Sequence, residues 1–227
     1  MFDQAKGFIR KKATEFDAKK IPFSERLLAQ AKLEQHQLAA KLAAIAATRA
    51  DLAGEDLYYL GMLHWIAANL DGTSEALRTF IAIAHADAVQ SQTARSLVVV
   101  IAAKQKKLDD AEKILAEYLA HEPKKLTERS RMEGELAKSY QAQKDFVRIA
   151  PHADECYPAS KGLLNDAASR ARGLDEILDA FMPGYDAYPD NRNPTRAEAG
   201  LDDMRPTAAS TGPTRFAYYS VARQFTS

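Results

Sequence analysis

The chain of 227 residues reads as all-α, built from antiparallel helix hairpins behind a long N-terminal helix. Three observations predict this. Alanine and leucine dominate while glycine and proline are scarce until late, a composition that favours helices over strands. No stretch alternates apolar and polar residues between two turn signals, as a half-buried strand would. Apolar residues instead recur at helical spacing in segments separated by short polar breaks.

A first short helix is expected over Ala5 to Phe16, ending before Ile21-Pro22, because the residue preceding a proline disfavours helical backbone. Ser24 then stands as the N-cap of a long helix reaching about Ala50, with Leu28, Ala31, Leu38, Leu42 and Ile45 on one stripe. That stripe is alanine-rich, includes Gln35 and is short, so it suits packing against neighbouring helices better than a coiled coil. Gly54 followed by Glu55 and Asp56 marks the next helix start, since acids favour the positive end of the helix dipole. This helix is expected to end near Asn69, with Asp71-Gly72 as a turn and Thr73 or Ser74 capping its partner. Further helices follow over Gln90–Lys104 and Asp109–His121, the latter stopped by Pro123. Thr127–Gln141 is the next, followed by a KDF turn and a helix interrupted by Pro151.

The helices pair with a period. Leu57, Leu60, Gly61 and His64 are followed by Ala76 and Phe80; Val98, Val99 and Ala102 by Leu108, Ala111, Leu115, Tyr118, Leu119 and Pro123; Leu136, Ala137 and Tyr140 by Asp145-Phe146. Gly61, Val99 and Ala137 lie 38 residues apart at both steps. The pattern resembles the tetratricopeptide repeat, a helix pair in about 34 residues with a large-large-Gly-aromatic signature on helix A and small, large and proline positions on helix B. In the first pair the helices stand one turn farther apart than the family pattern, and in the third Ile149 replaces the small residue. The resemblance implies a tetratricopeptide-like α-solenoid with N-terminal helices over 1–53, three helix pairs over 54–160, and a degenerate repeat over 161–227. The last would include Ala197, Leu201 and Met204 and close on RFAYYSVARQF as a capping or truncated helix. EDLYYLGMLHWIA and AEAGLDDMRPTAAS are similar to helical regions that precede thioredoxin-like domains in some bacterial proteins. This second resemblance implies an accessory docking or dimerisation segment of a larger oxidoreductase.

Composition excludes several function classes. Lys plus Arg equal Asp plus Glu at 31 each, so no net charge steers the chain toward nucleic acid. Residues 1–50 hold ten basic against five acidic residues and 151–227 eight against eleven, an imbalance that reads as solvated helix surface. The longest strongly apolar run, Leu97 to Ala103, is far short of the ~20 residues of a membrane span. MFDQAKGF has no apolar core of a secretion signal, so cytoplasm is the default compartment, giving way to periplasm or secretion if the N-terminus is incomplete. The single Cys156 makes no internal disulfide and belongs to no CxxC pair.

No catalytic or phosphate-binding motif is present. The densest cluster of ligand types is HADEC, His152 to Cys156: on a helix His152 and Cys156 share a face while Asp154 points elsewhere, and no second cluster completes a metal site. His64 occupies the family's aromatic position and reads as a packed histidine. Neither a cofactor nor catalysis is expected. The resemblance implies instead a concave face of A helices that binds a protein or peptide, with Tyr58, Met62 and Trp65 in the first unit, Ser96, Val100 and Lys104 in the second, and Arg131, Lys138 and Gln141 in the third. Such a groove, aromatic at one end and basic at the other, suits a peptide with an apolar anchor and an acidic tail.

Ala111 reads as the small residue at a close helix contact, so Ala111→Leu is expected to overpack it and lower unfolding stability by about 1–3 kcal/mol. A thermal melt coincident with that of the native chain would refute the contact.

Overall fold

The computed structural model describes residues 1–22, 24–83 and 87–163; the expected degenerate repeat, beyond residues 161–163, and the terminal helix lie outside them. Helix is the secondary structure throughout, with no strand among the described residues. The chain divides into a unit of Met1–Ile101 and one that begins at Ala102.

In the first unit the expected opening helix is two: α1 (Phe2–Lys6) and α2 (Phe8–Ala18), parted at Gly7. Ser24 caps α3 (Glu25–Ala47) as expected, its Oγ accepting from the Leu27 N–H. The buried line on α3 holds Ala31, Ala39, Leu42 and Ala43, whereas Ile45 is exposed. The stripe advances by four from Leu42 to the half-buried Ala46, and Ile45 falls to its edge. Gln35, the polar intruder on that stripe, donates Nε2–H to the Ala5 carbonyl at 2.8 Å and so ties α1 down. Ala5, Ala39, Leu42, Ala43, Leu60, Leu63 and Ala76 form one core cluster.

α4 (Glu55–Ile66) starts after Gly54, whose φ of 55° is a conformation that other residues rarely adopt. α5 (Leu70–Ile81) begins earlier than expected, because Asn69 rather than Thr73 or Ser74 caps it and takes the Gly72 N–H at 3.0 Å. Asp71-Gly72 is therefore the first turn of a helix and not a loop. Gly72 is needed for space: a Cβ there would lie 2.8–2.9 Å from the Asn69 and His64 side chains. Gly61 likewise leaves room for α5, where a Cβ would meet Leu77 Cδ2 at 2.5 Å.

α6 (Ala88–Lys104) starts at the Asp87 cap, whose Oδ1 accepts from the Gln90 N–H at 2.8 Å. It is buried at every position from Ser96 to Ala103, as a helix apolar all round must be. α7 (Leu108–Ala120), α8 (Leu126–Gln143) and α9 (Phe146–Leu163) follow. Pro151 does not interrupt α9, which contains both Pro151 and Pro158. Pro151 is exposed, and the carbonyl it leaves without an N–H belongs to the exposed Val147, where water can reach it.

The period seen in the sequence reappears in backbone geometry. Ala68, Lys106 and Lys144 all have left-handed φ, at 58°, 61° and 58°, and they stand 38 residues apart. At each, the following N–H bonds back five residues, from Asn69 to His64, Lys107 to Ala102 and Asp145 to Tyr140, at 2.9, 2.9 and 3.1 Å. These are Schellman closures, and the next helix starts two residues on, at Leu70, Leu108 and Phe146. With this register Thr73, Ala111 and Ile149 are equivalent, all at 0% exposure. Counted from this turn, the α5 residue equivalent to Ala111 is Thr73 and not Ala76, so the first two paired helices stand no farther apart than the later ones.

A non-glycine residue in the left-handed region costs about 1–2 kcal/mol, partly offset by glycine's greater freedom when unfolded. Lys144→Gly is expected to raise the urea midpoint by up to about 1 kcal/mol of stability, and a lowered midpoint would refute the shared turn.

Candidate functional site

The unit that begins at Ala102 buries an ion network between α7, α8 and α9. α8 and α9 approach closely because their facing residues are small: a Cβ on Gly134 would sit 3.3 Å from Cys156 Sγ, and Ser130 Oγ and Ser160 Oγ are 2.6 Å apart. Cys156 directs its thiol to the Ser130 carbonyl at 3.3 Å. One turn before it, His152 points both ring nitrogens at carboxylates, Nδ1 2.6 Å from Glu133 Oε2 on α8 and Nε2 2.8 Å from Glu112 Oε1 on α7. Tyr140 lies flat against the imidazole, with centroids 5.5 Å apart at 10°, and donates its hydroxyl to Glu112 at 3.0 Å.

Two arginines close the network. Arg129 places Nε 2.7 Å from Glu133 Oε1 and an Nη 3.0 Å from Glu155. Arg148 sits 5.4 Å over the Tyr140 ring and pairs with Asp145 at 3.2 Å and Asp109 at 3.7 Å. Burial opposes charge on His152, but the hydrogen bonds and charges of Glu112 and Glu133 outweigh it and push the ring up to about 9. The same bond from His152 holds Glu112 below the usual carboxylate range. A doubly donating imidazolium is therefore the state that satisfies both carboxylates.

A second buried carboxylate, Glu128, accepts from the Tyr118 hydroxyl at 3.0 Å and pairs with Lys125 at 3.1 Å. Burial pushes Tyr118 up to about 12, so it remains a donor at ordinary pH. These bonds fasten the α7–α8 connection.

His152 and Cys156 do share a face of α9, yet they are claimed by different partners. Among the described residues no group of three or more His, Cys, Asp or Glu side chains is placed to hold a metal ion. His64 is half-buried with Nδ1 3.2 Å from Asn69 Nδ2, and burial lowers its pKa.

The expected binding residues divide between the units. On α4, Tyr58 packs on Phe80 at 5.4 Å and on Tyr59 at 5.5 Å, while Met62 and Trp65 are half-buried. Beside them, Phe2, Leu52, Tyr59 and Leu63 with the Arg49–Asp56 pair line a cavity of about 520 Å³ that includes none of the three. In the other unit Lys104 and Lys138 are exposed and Arg131 and Gln141 half-buried. Lys104 pairs with Glu135 at 3.4 Å, which puts it on the α8 face shared by Arg131 and Lys138. Ser96 and Val100, at 2% and 1% exposure, present no surface.

His152 was visible in the sequence as part of a ligand-rich cluster, but its role was not. The available signal was the period: extended onto the B helices, it equates His152 with Ile114 and Ala76, both buried and apolar. A histidine at a core position of a repeat must find buried partners. No protein-family model matches the chain, and neither does any curated protein. The described chain is an all-α protein of successive helix–turn–helix units, compatible with a helical repeat, and none of its described helices is long and apolar enough to cross a membrane.

Removing Glu133 takes a buried partner from both His152 and Arg129, so Glu133→Leu is expected to cost about 3–5 kcal/mol in urea unfolding. Adding His152→Leu to Glu133→Leu is expected to restore part of that stability. A double variant weaker than either single one would refute the coupling.

Proposed function

We propose that this chain is a non-catalytic, tetratricopeptide-like scaffold that binds a protein or peptide on the outward faces of its A helices α4 and α8, with Lys104 at the end of α6. The observation that supports the reading is the left-handed turn at Ala68, Lys106 and Lys144, repeated at a constant 38-residue interval. It marks a chain organised as repeated helix pairs, an architecture whose recurring use is to offer extended surface. The buried titratable groups favour the same reading, since both nitrogens of His152 and both oxygens of Glu133 are already engaged within the protein. A catalytic acid or base needs access to a substrate proton.

The partner chemistry follows from the exposed Lys104 and Lys138 and the half-buried side chains of the same helices. Lys104, Arg131 and Lys138, with Gln141 at the end of α8, would receive an acidic segment, while Met62 and Trp65 on α4 would accept an apolar anchor beside Tyr58. Glu135 shields Lys104 in the free protein, and an incoming carboxylate would compete with it.

The experiment is affinity capture with the native chain and with Trp65→Ala plus Lys138→Glu, controlled by Lys32→Glu on the exposed side of α3. Loss of specific partners from the double variant alone, with native binding weakening as salt rises, is the expected result. Retention of every partner by the double variant would sink the assignment.

A further inference from the structure

We propose that His152 is a proton-held latch, joining α7 to α8 through α9, and that loss of its proton loosens α9 and uncovers Cys156. The geometry calls for a proton on each nitrogen. Glu112 approaches Nε2 and Glu133 approaches Nδ1, so the two carboxylates lie on opposite edges of one ring. A neutral imidazole has one N–H, and its other nitrogen would turn a lone pair toward a carboxylate. Deprotonation therefore replaces one attraction by a repulsion at a residue only 7% exposed.

The groups facing the ring leave no substitute donor for both sides. From α7 there is Glu112; from α8, Glu133 and the Tyr140 ring, with Arg129 behind Glu133; from α9 itself, Arg148 beyond Tyr140 and Glu155 beyond Arg129. Arg129 is already ion-paired with Glu133 and Glu155, and Tyr140 already donates to Glu112. The seam C-terminal to the ring, Ser130, Gly134, Cys156 and Ser160, is close but offers little apolar volume, while Ile149 and Ala153 pack on its other side. Polar bonds thus hold α9 around Cys156, and His152 supplies the buried ones that reach both neighbouring helices.

The direction with pH is set by the folded ring binding its proton more tightly, near 9 against an ordinary 6.5. The latch is complete below about pH 6.5 and is lost as pH rises through about 9. Cys156, the chain's single cysteine and buried one turn from the ring, reports the opening.

The test measures the reaction rate of Cys156 in the full-length chain with 4,4′-dithiodipyridine from about pH 6 to about pH 9.5, each rate divided by that of the urea-unfolded chain at the same pH to remove thiol ionisation. The corrected native rate is expected to rise about tenfold or more across that range, while His152→Gln reacts fast at every pH. A flat native rate, or the same rise in His152→Gln, would overturn the latch. Should His152→Gln fail to fold by circular dichroism, Glu112→Gln decides: its rise is expected to begin at lower pH, and a rise at the native pH overturns the proposal.

Discussion

A single residue of left-handed backbone, two positions before each B helix, sets the frame of this protein. Helix A cannot continue through it, and the two bonds of the Schellman closure fix where the chain leaves and where the next helix starts. Because Ala68, Lys106 and Lys144 adopt the same conformation with the same back-bonds, the three B helices share one register. Which side chain meets helix A is then decided by counting from the turn. None of the three is glycine, so the conformation is imposed by packing on both sides and not by local freedom.

Within that frame the first and third pairs solve the contact differently. α4 and α5 close on a glycine, with Leu77 filling the space where Gly61 has no side chain. α8 and α9 close on serines, a glycine and a cysteine, leaving room for polar bonds where an apolar core would otherwise form. The charged network beside that seam is costly to desolvate. It persists because each member is matched: His152 between two carboxylates, Glu133 between His152 and Arg129, Tyr140 bonded to Glu112 and stacked on the imidazole. The pairing of His152 with both carboxylates makes this part of the fold specific, since a shifted α9 would strand charges away from water. Arg129 Nε, close to Glu133 but outside hydrogen-bond geometry, is the exception in the network.

Much of this was legible beforehand. Ser24, Gly54 and the acidic start of α4 announced helix ends because capping is a local matter, settled by a few adjacent residues. The period of 38 was legible because the small residues at the A-helix contact recur with it. Asp71-Gly72 misled because the pair is a turn signal by composition, whereas Gly72 is there to clear Asn69 and His64. Pro151 misled for a related reason: an exposed proline early in a helix loses a bond that water replaces, which no dipeptide rule can register. The expected groove residues Ser96 and Val100 proved buried because the helix that carries them is apolar on every side.

By itself the sequence determined the helical class, the succession of paired helices and their spacing, because propensity, capping and periodicity act over one or two turns. The tertiary structure alone decided which polar residues face each other. Glu112, Glu133 and His152 are separated by 21 and 19 positions in the chain, and no local pattern relates them. They meet because the turn at Lys144 folds α9 back along α8 while Glu112 reaches them from α7, and a buried histidine can keep its charge where carboxylates arrive from two other helices.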